Sequence, residues 1–208
     1  MFRAKTSLTV GVVFNACWSA AYLLMCVIQR SYWLIALAIY NIVLTVIRLM
    51  LYLSYSIINN KDSNKKLLNE FKIYRSCGAM MLVMSLCMTG IVYLLIKDGV
   101  KVNGSIVTIA IATYTFYCLT VAVINVVKFS KRGSPILAAS KNVCLARAIM
   151  SLFSLQVTML IQFDGTDEYT SRILNISVGF VVCFICLIIA LGMIIKSTKN
   201  INIIKENR

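Results

Sequence analysis

Six apolar stretches of about twenty residues each, separated by short polar segments, dictate what this chain can fold into. They run over 8–28, 33–58, 77–96, 105–127, 135–163 and 173–195. A hydrocarbon core about 30 Å thick is crossed by about 20 such residues in an α-helix, and a water-soluble fold has no use for six of them. Within lipid each backbone N–H and C=O must be satisfied inside its own segment, which selects helices. The predicted fold class is therefore all-α: a polytopic integral membrane protein with six transmembrane helices. Of the 208 residues, 60% are hydrophobic and 13% charged. Soluble domains carry about 25% charge, so polar groups are too few here to cover a water-facing surface. A single proline and the lack of a low-complexity tract leave nothing that reads as a linker, and 1–208 reads as one membrane domain.

Arg3 and Lys5 precede the first stretch, as in a signal peptide, but about 21 apolar residues exceed a signal core of about 7–15. A retained first helix is expected. The fifth helix is expected to start at Ser134-Pro135, because serine caps helix N-termini and proline is tolerated at the first helical position.

The net charge of +14 is explained by where the basic residues lie, without nucleic acid. With the N-terminus in the cytoplasm, fifteen lysines and arginines fall in cytoplasmic segments and four, Arg30, Lys97, Lys101 and Arg172, in outer ones. Basic residues resist translocation, so this bias predicts a cell-membrane protein with both termini cytoplasmic. Lys65, Lys66, Lys72, Lys131, Arg132 and Lys141 are expected to meet anionic lipids of the inner leaflet. Residues 64–75 place Leu67, Leu68, Phe71 and Tyr74 at helical spacing, and read either as an amphipathic helix on the membrane surface or as a cytoplasmic extension of the third helix. The Ile-, Lys- and Asn-rich composition is compatible with a bacterial origin.

A shift of 69 residues brings Ala79, Met81, Ser85, Leu86 and Thr89 onto Ala148, Met150, Ser154, Leu155 and Thr158. This suggests three tandem helical hairpins, with small residues letting neighbouring backbones approach.

Chemistry-bearing residues are few. Histidine is absent, which removes imidazole as ligand or general base. Cys183 and Cys186 form a CxxC, but inside a helix and without a second pair they read as packing residues, and no metal or other cofactor is implied. Asp164, Asp167 and Glu168 lack the spacing of a calcium loop. No catalytic constellation is visible, so the protein is not expected to be an enzyme.

The anomaly is a pair of arginines, Arg48 in the second stretch and Arg147 in the fifth. A charge near the bilayer centre costs about 2.5–3.5 kcal/mol on insertion scales, and none of the seven acidic residues lies in an apolar stretch to pair with it. Asn15, Asn41, Asn125, Gln156 and Asn175 are candidate polar neighbours, each inside or near the end of an apolar stretch. Arg48, Arg147, Asn41, Gln156 and Asn175 thus form a candidate site for an anion or a lipid headgroup, since guanidinium matches oxyanions bidentately. Two functions are compatible with this pattern. One is transport or ligand binding at the arginines. The other is an interaction or regulatory subunit that packs against another membrane protein or a second copy of itself.

Overall fold

The computed structural model describes residues 2–29, 32–58, 63–98, 105–130, 134–162 and 168–206. They form six helices: α1 (Phe2–Gln29), α2 (Tyr32–Ile58), α3 (Ser63–Asp98), α4 (Ser105–Ser130), α5 (Pro135–Gln162) and α6 (Glu168–Glu206). All six contain a window long and apolar enough to span a membrane, and the described residues contain no strand. The outer surface is apolar, with Ile39, Val46, Phe116, Val123, Phe180 and Phe184 all exposed. Such a surface is at rest in lipid and untenable in water.

Helix α5 begins at Pro135, as expected from the serine–proline pair; the backbone N–H of Ala138 closes the first turn on the carbonyl of Ser134 at 3.1 Å. Helix α3 begins at Ser63 and not at 77, so the amphipathic segment is an extension of the third helix. Its polar side is not left to water. Glu70 is buried and accepts a hydrogen bond from Ser134 Oγ at 2.8 Å, while Asn142 Nδ2 donates to Tyr74 Oη at 3.4 Å. Helix α6 likewise outruns its apolar core at both ends, and Ser197 Oγ near its end donates to the carbonyl of Phe71. The long α3 and α6 thus lie together.

This pairing corrects the expectation of tandem hairpins. Helix α1 packs chiefly on α2, α4 on α5, and α3 on α6. Contact between α3 and α4 is minor among the described residues. The physical reason lies partly at Gly78, where the missing side chain lets α6 approach: a Cβ there would come within 3.1 Å of Met193 Cβ and 3.3 Å of the Ala190 carbonyl. The residues shared at an offset of 69 reflect the small alphabet of closely packed membrane helices.

A different correspondence is visible between the first three helices and the last three. Helix α4 begins 103 residues after α1 (Ser105 against Phe2), α5 103 after α2 (Pro135 against Tyr32), and α6 105 after α3 (Glu168 against Ser63). Burial follows the same offsets. Gly11, Asn15, Ser19 and Tyr22 of α1 are buried, and so are Tyr114, Cys118, Ala122 and Asn125 of α4. In α2, Leu37, Tyr40, Asn41, Leu44, Ile47, Arg48 and Leu51 match buried Ser140, Val143, Cys144, Arg147, Met150, Ser151 and Ser154 of α5. In α3, Glu70, Tyr74, Cys77, Ser85, Met88 and Val92 match buried Asn175, Gly179, Val182, Ala190, Met193 and Ser197 of α6.

Exchanging the two halves also maps the packing onto itself. The α1–α2 and α4–α5 pairs interchange, as do α2–α3 and α5–α6, while α3–α6 and α2–α5 map onto themselves. One contact, α3 with α5, has no counterpart of similar extent. Each half holds three helices, an odd number, so the two halves run across the membrane in opposite directions. The helix order and burial pattern are those of an inverted arrangement of two halves, with α2–α5 and α3–α6 at its centre.

Candidate functional site

The two helices that carry the arginines, α2 and α5, form one of these central crossings. Arg147 is 2% exposed and Arg48 5% exposed, so neither snorkels to a surface. The guanidinium groups lie within reach of each other's charge. Neither has a carboxylate partner among the described residues.

Each arginine is held differently. Arg48 Nη2 donates to Cys144 Sγ of α5 at 2.9 Å, and Asn125 Nδ2 of α4 donates to the same sulfur at 3.0 Å. Its other flank lies against α1, where a Cβ on Gly11 would stand 2.5 Å from Arg48 Nη1. Arg48 therefore fills a slot that exists only because residue 11 has no side chain. Arg147 Nη1 donates to Asn15 Oδ1 of α1, and its Nε and Nη2 have no hydrogen-bond partner. Arg48 Nε and Asn15 Nδ2 are buried without partners as well.

Arg147 lines a cavity of about 10 Å³ together with Tyr22, Leu37, Tyr40, Asn41, Tyr114, Met150, Ser151 and Ser154. That is about the room one water requires. The amide of Asn41 is oriented by its neighbours: Nδ2 donates to the carbonyl of Leu37 at 2.8 Å, and Oδ1 accepts from Tyr114 Oη at 2.9 Å. Tyr114 is clamped in turn, stacked on Trp18 with ring centroids 4.2 Å apart. Ser151 Oγ donates to the carbonyl of Ala148, and Ser154 Oγ lies beside the Tyr22 hydroxyl. The unpartnered groups around the arginines are N–H donors: Arg147 Nε and Nη2, Arg48 Nε and Asn15 Nδ2. Buried polar groups without partners are costly, typically about 1–3 kcal/mol each, which makes an acceptor at this place favourable.

Of the five residues expected at a site, Arg48, Arg147 and Asn41 converge at the α2–α5 crossing. Gln156 is half-buried and is not among the residues lining the Arg147 cavity. Asn175 is buried on α6 with Oδ1 unpartnered, and does not line that cavity either. Tyr22, Tyr40, Tyr114, Cys144, Ser151 and Ser154 were not expected there. Polar residues inside apolar helices are a signal that could have found them, but it does not say which helices meet. Cys183 and Cys186 line a second cavity of about 20 Å³ with Met81, Met84, Met88 and Met150, in keeping with a packing role.

Among the basic residues expected at the membrane surface, Lys72 is exposed and Lys141 half-buried. Lys65 and Lys66 lie in the first turn of α3. Lys131 and Arg132 lie outside the described residues, as do Asp164 and Asp167 of the acidic loop.

No known protein family and no curated protein matches this chain.

Proposed function

We propose that this multi-pass membrane protein is a non-enzymatic carrier that binds an anion at Arg147, where its two inverted halves cross. One observation carries the reading. Arg147 is buried, has no carboxylate partner among the described residues, lines a small cavity, and holds two N–H groups unused. A unit charge of opposite sign about 4 Å away is worth about 4 kcal/mol at an effective dielectric of about 20, which offsets part of the cost of burying the two ions. The inverted arrangement adds weight, because secondary transporters built this way bind substrate near the bilayer midplane at the repeat interface.

The test is anion uptake into liposomes holding the purified protein. Arg147→Gln should abolish uptake while the variant still elutes from size exclusion like the wild type. Uptake equal to wild type in a well-folded Arg147→Gln protein would end the carrier reading.

A second reading, a subunit that docks a partner helix, draws on a groove of about 350 Å³ on the outside of α2 and α3, lined by residues such as Ile39, Val43, Ala79 and Val83. It requires that a membrane protein co-purify with the chain and be released by Ala79→Trp.

A further inference from the structure

Three hollows in the fold share their walls, and together they lead from Arg147 to the lipid-facing surface. Resting on the anion reading above, we propose that the ligand is an amphiphile, a hydrocarbon chain ending in a carboxylate. It enters sideways from the bilayer, with its head on Arg147 and its tail in the groove between α2 and α3.

The first observation is continuity. The Arg147 cavity and the cavity beside Cys183 have Tyr40 and Met150 as common walls. That second cavity and the groove of about 350 Å³ have Tyr40, Met84 and Met88 in common. Tyr40 thus borders all three, and the other shared walls are methionines. A methionine side chain is unbranched and turns about three bonds, so such a wall yields more readily than a branched or aromatic one. The space at Arg147 admits about one water as it stands, and a carboxylate needs Met150 to swing aside.

The second is the change of chemistry along the passage. Its inner end carries a buried positive charge, whereas the walls of the groove are apolar, with Ile39, Val43, Ala79 and Val83 among them. Small-molecule pockets occupy about 300–1,000 Å³, a range that the groove reaches and the arginine cavity does not. The body of the ligand therefore belongs in the groove and only its head at Arg147. Hydrocarbon suits the one and a negative charge the other.

The third is the donor count. Arg147 Nε and Nη2 lie on one edge of the planar guanidinium, and this edge presents two parallel N–H groups to the two oxygens of a carboxylate. Neighbouring donors are spent: Asn41 Nδ2 on the Leu37 carbonyl, Tyr114 Oη on Asn41 and Ser151 Oγ on the Ala148 carbonyl. The further oxygens of a phosphate head would find these donors engaged, and a buried acceptor without a donor is costly.

Photo-cross-linking of the full-length protein in phosphatidylcholine nanodiscs tests the proposal, with palmitate carrying a diazirine at mid-chain as the probe. Adducts mapped by mass spectrometry should fall between 36 and 43 on α2 and between 79 and 88 on α3. Excess palmitate should suppress them, and hexadecanol, acetate and hexadecyl phosphate should not. Arg147→Gln should weaken the apparent palmitate affinity at least about tenfold, the effect of one lost hydrogen bond to a charged group. Val83→Trp changes an exposed residue, should fold, and should reduce the suppressible labelling by a similar factor by filling the groove. Suppression by hexadecanol as strong as by palmitate, or unchanged labelling in either variant, would overturn the proposal. Stronger suppression by hexadecyl phosphate would overturn the carboxylate head. If no labelling is suppressible but liposome uptake of a water-soluble anion still depends on Arg147, the amphiphile falls and the anion reading stands. If neither depends on Arg147, both fall.

Discussion

At the scale of single residues, the interior shows how two guanidinium groups are kept in an apolar bundle without acids. Cys144 accepts N–H groups from Arg48 and from Asn125, on either side of α5. Removing the sulfur strands both donors. Cys144→Ala should therefore destabilise the protein by about 2–6 kcal/mol, the cost of two buried unsatisfied groups, whereas Cys144→Ser keeps an acceptor and should cost less. Chemical or thermal unfolding in detergent gives the comparison, and equal losses for the two variants would count against the role assigned to the sulfur. Gly11 supplies the matching clearance on α1. Gly11→Ala forces Arg48 Nη1 to move from 2.5 Å, and a melting temperature below that of wild type is expected, with the loss relieved in the Gly11→Ala, Arg48→Met double variant. Sequence reading reached the two arginines because a charge in an apolar run is anomalous wherever it points. It could not reach Cys144 or Gly11. Their roles depend on which helix faces which, and a cysteine or glycine in a membrane helix is unremarkable by itself.

At the scale of helices, the number and nature of the spanning elements were legible and their partnership was not. Run length and charge are properties of one segment, so six spans and the start of α5 at Pro135 could be read directly. Helix pairing depends on matched surfaces of two segments. Because lipid is as apolar as the side chains it replaces, hydrophobicity says little about which surfaces match. Gly78 is the informative residue. A cysteine there would place its Cβ about 3.1 Å from that of residue 193, near the range from which disulfides form. Gly78→Cys combined with Met193→Cys should cross-link on mild oxidation, with the linked peptides identified by mass spectrometry. A tandem-hairpin arrangement, which leaves α3 beside α4, forms no such link. The opposite change, Gly78→Leu, should wedge α3 from α6 and destabilise by about 1–3 kcal/mol, as overpacking does elsewhere.

At the scale of the whole molecule, the correspondence between the two halves escaped sequence comparison because its buried positions are equivalent in place but not in kind. Among the matched buried pairs named above, Met88 and Met193 alone share a residue type. What the halves keep in common is which positions face inward, a pattern that many apolar and small polar side chains satisfy equally. The distribution of basic residues makes a separate claim, that both termini are cytoplasmic. Labelling of intact cells with an impermeant thiol reagent checks it, because Arg30→Cys and Asp164→Cys should react while Lys61→Cys and Lys131→Cys stay protected. The reverse pattern would invert the orientation without disturbing the fold.

The odd helix count of each half carries a consequence for descent. Two identical three-helix chains inserted in opposite senses would assemble as an antiparallel homodimer with the same crossings, and joining them end to end by gene duplication would yield this architecture. Fusion releases each copy from serving in both orientations. The arginines do not obey such a symmetry: Arg48 stands at the position of Ser151 in the other half, and Arg147 at that of Leu44. In a symmetric ancestor every buried arginine would have appeared twice. A lopsided centre, with Arg48 bound to Cys144 and Arg147 holding two unused N–H groups, is open to halves whose sequences differ and closed to a symmetric pair.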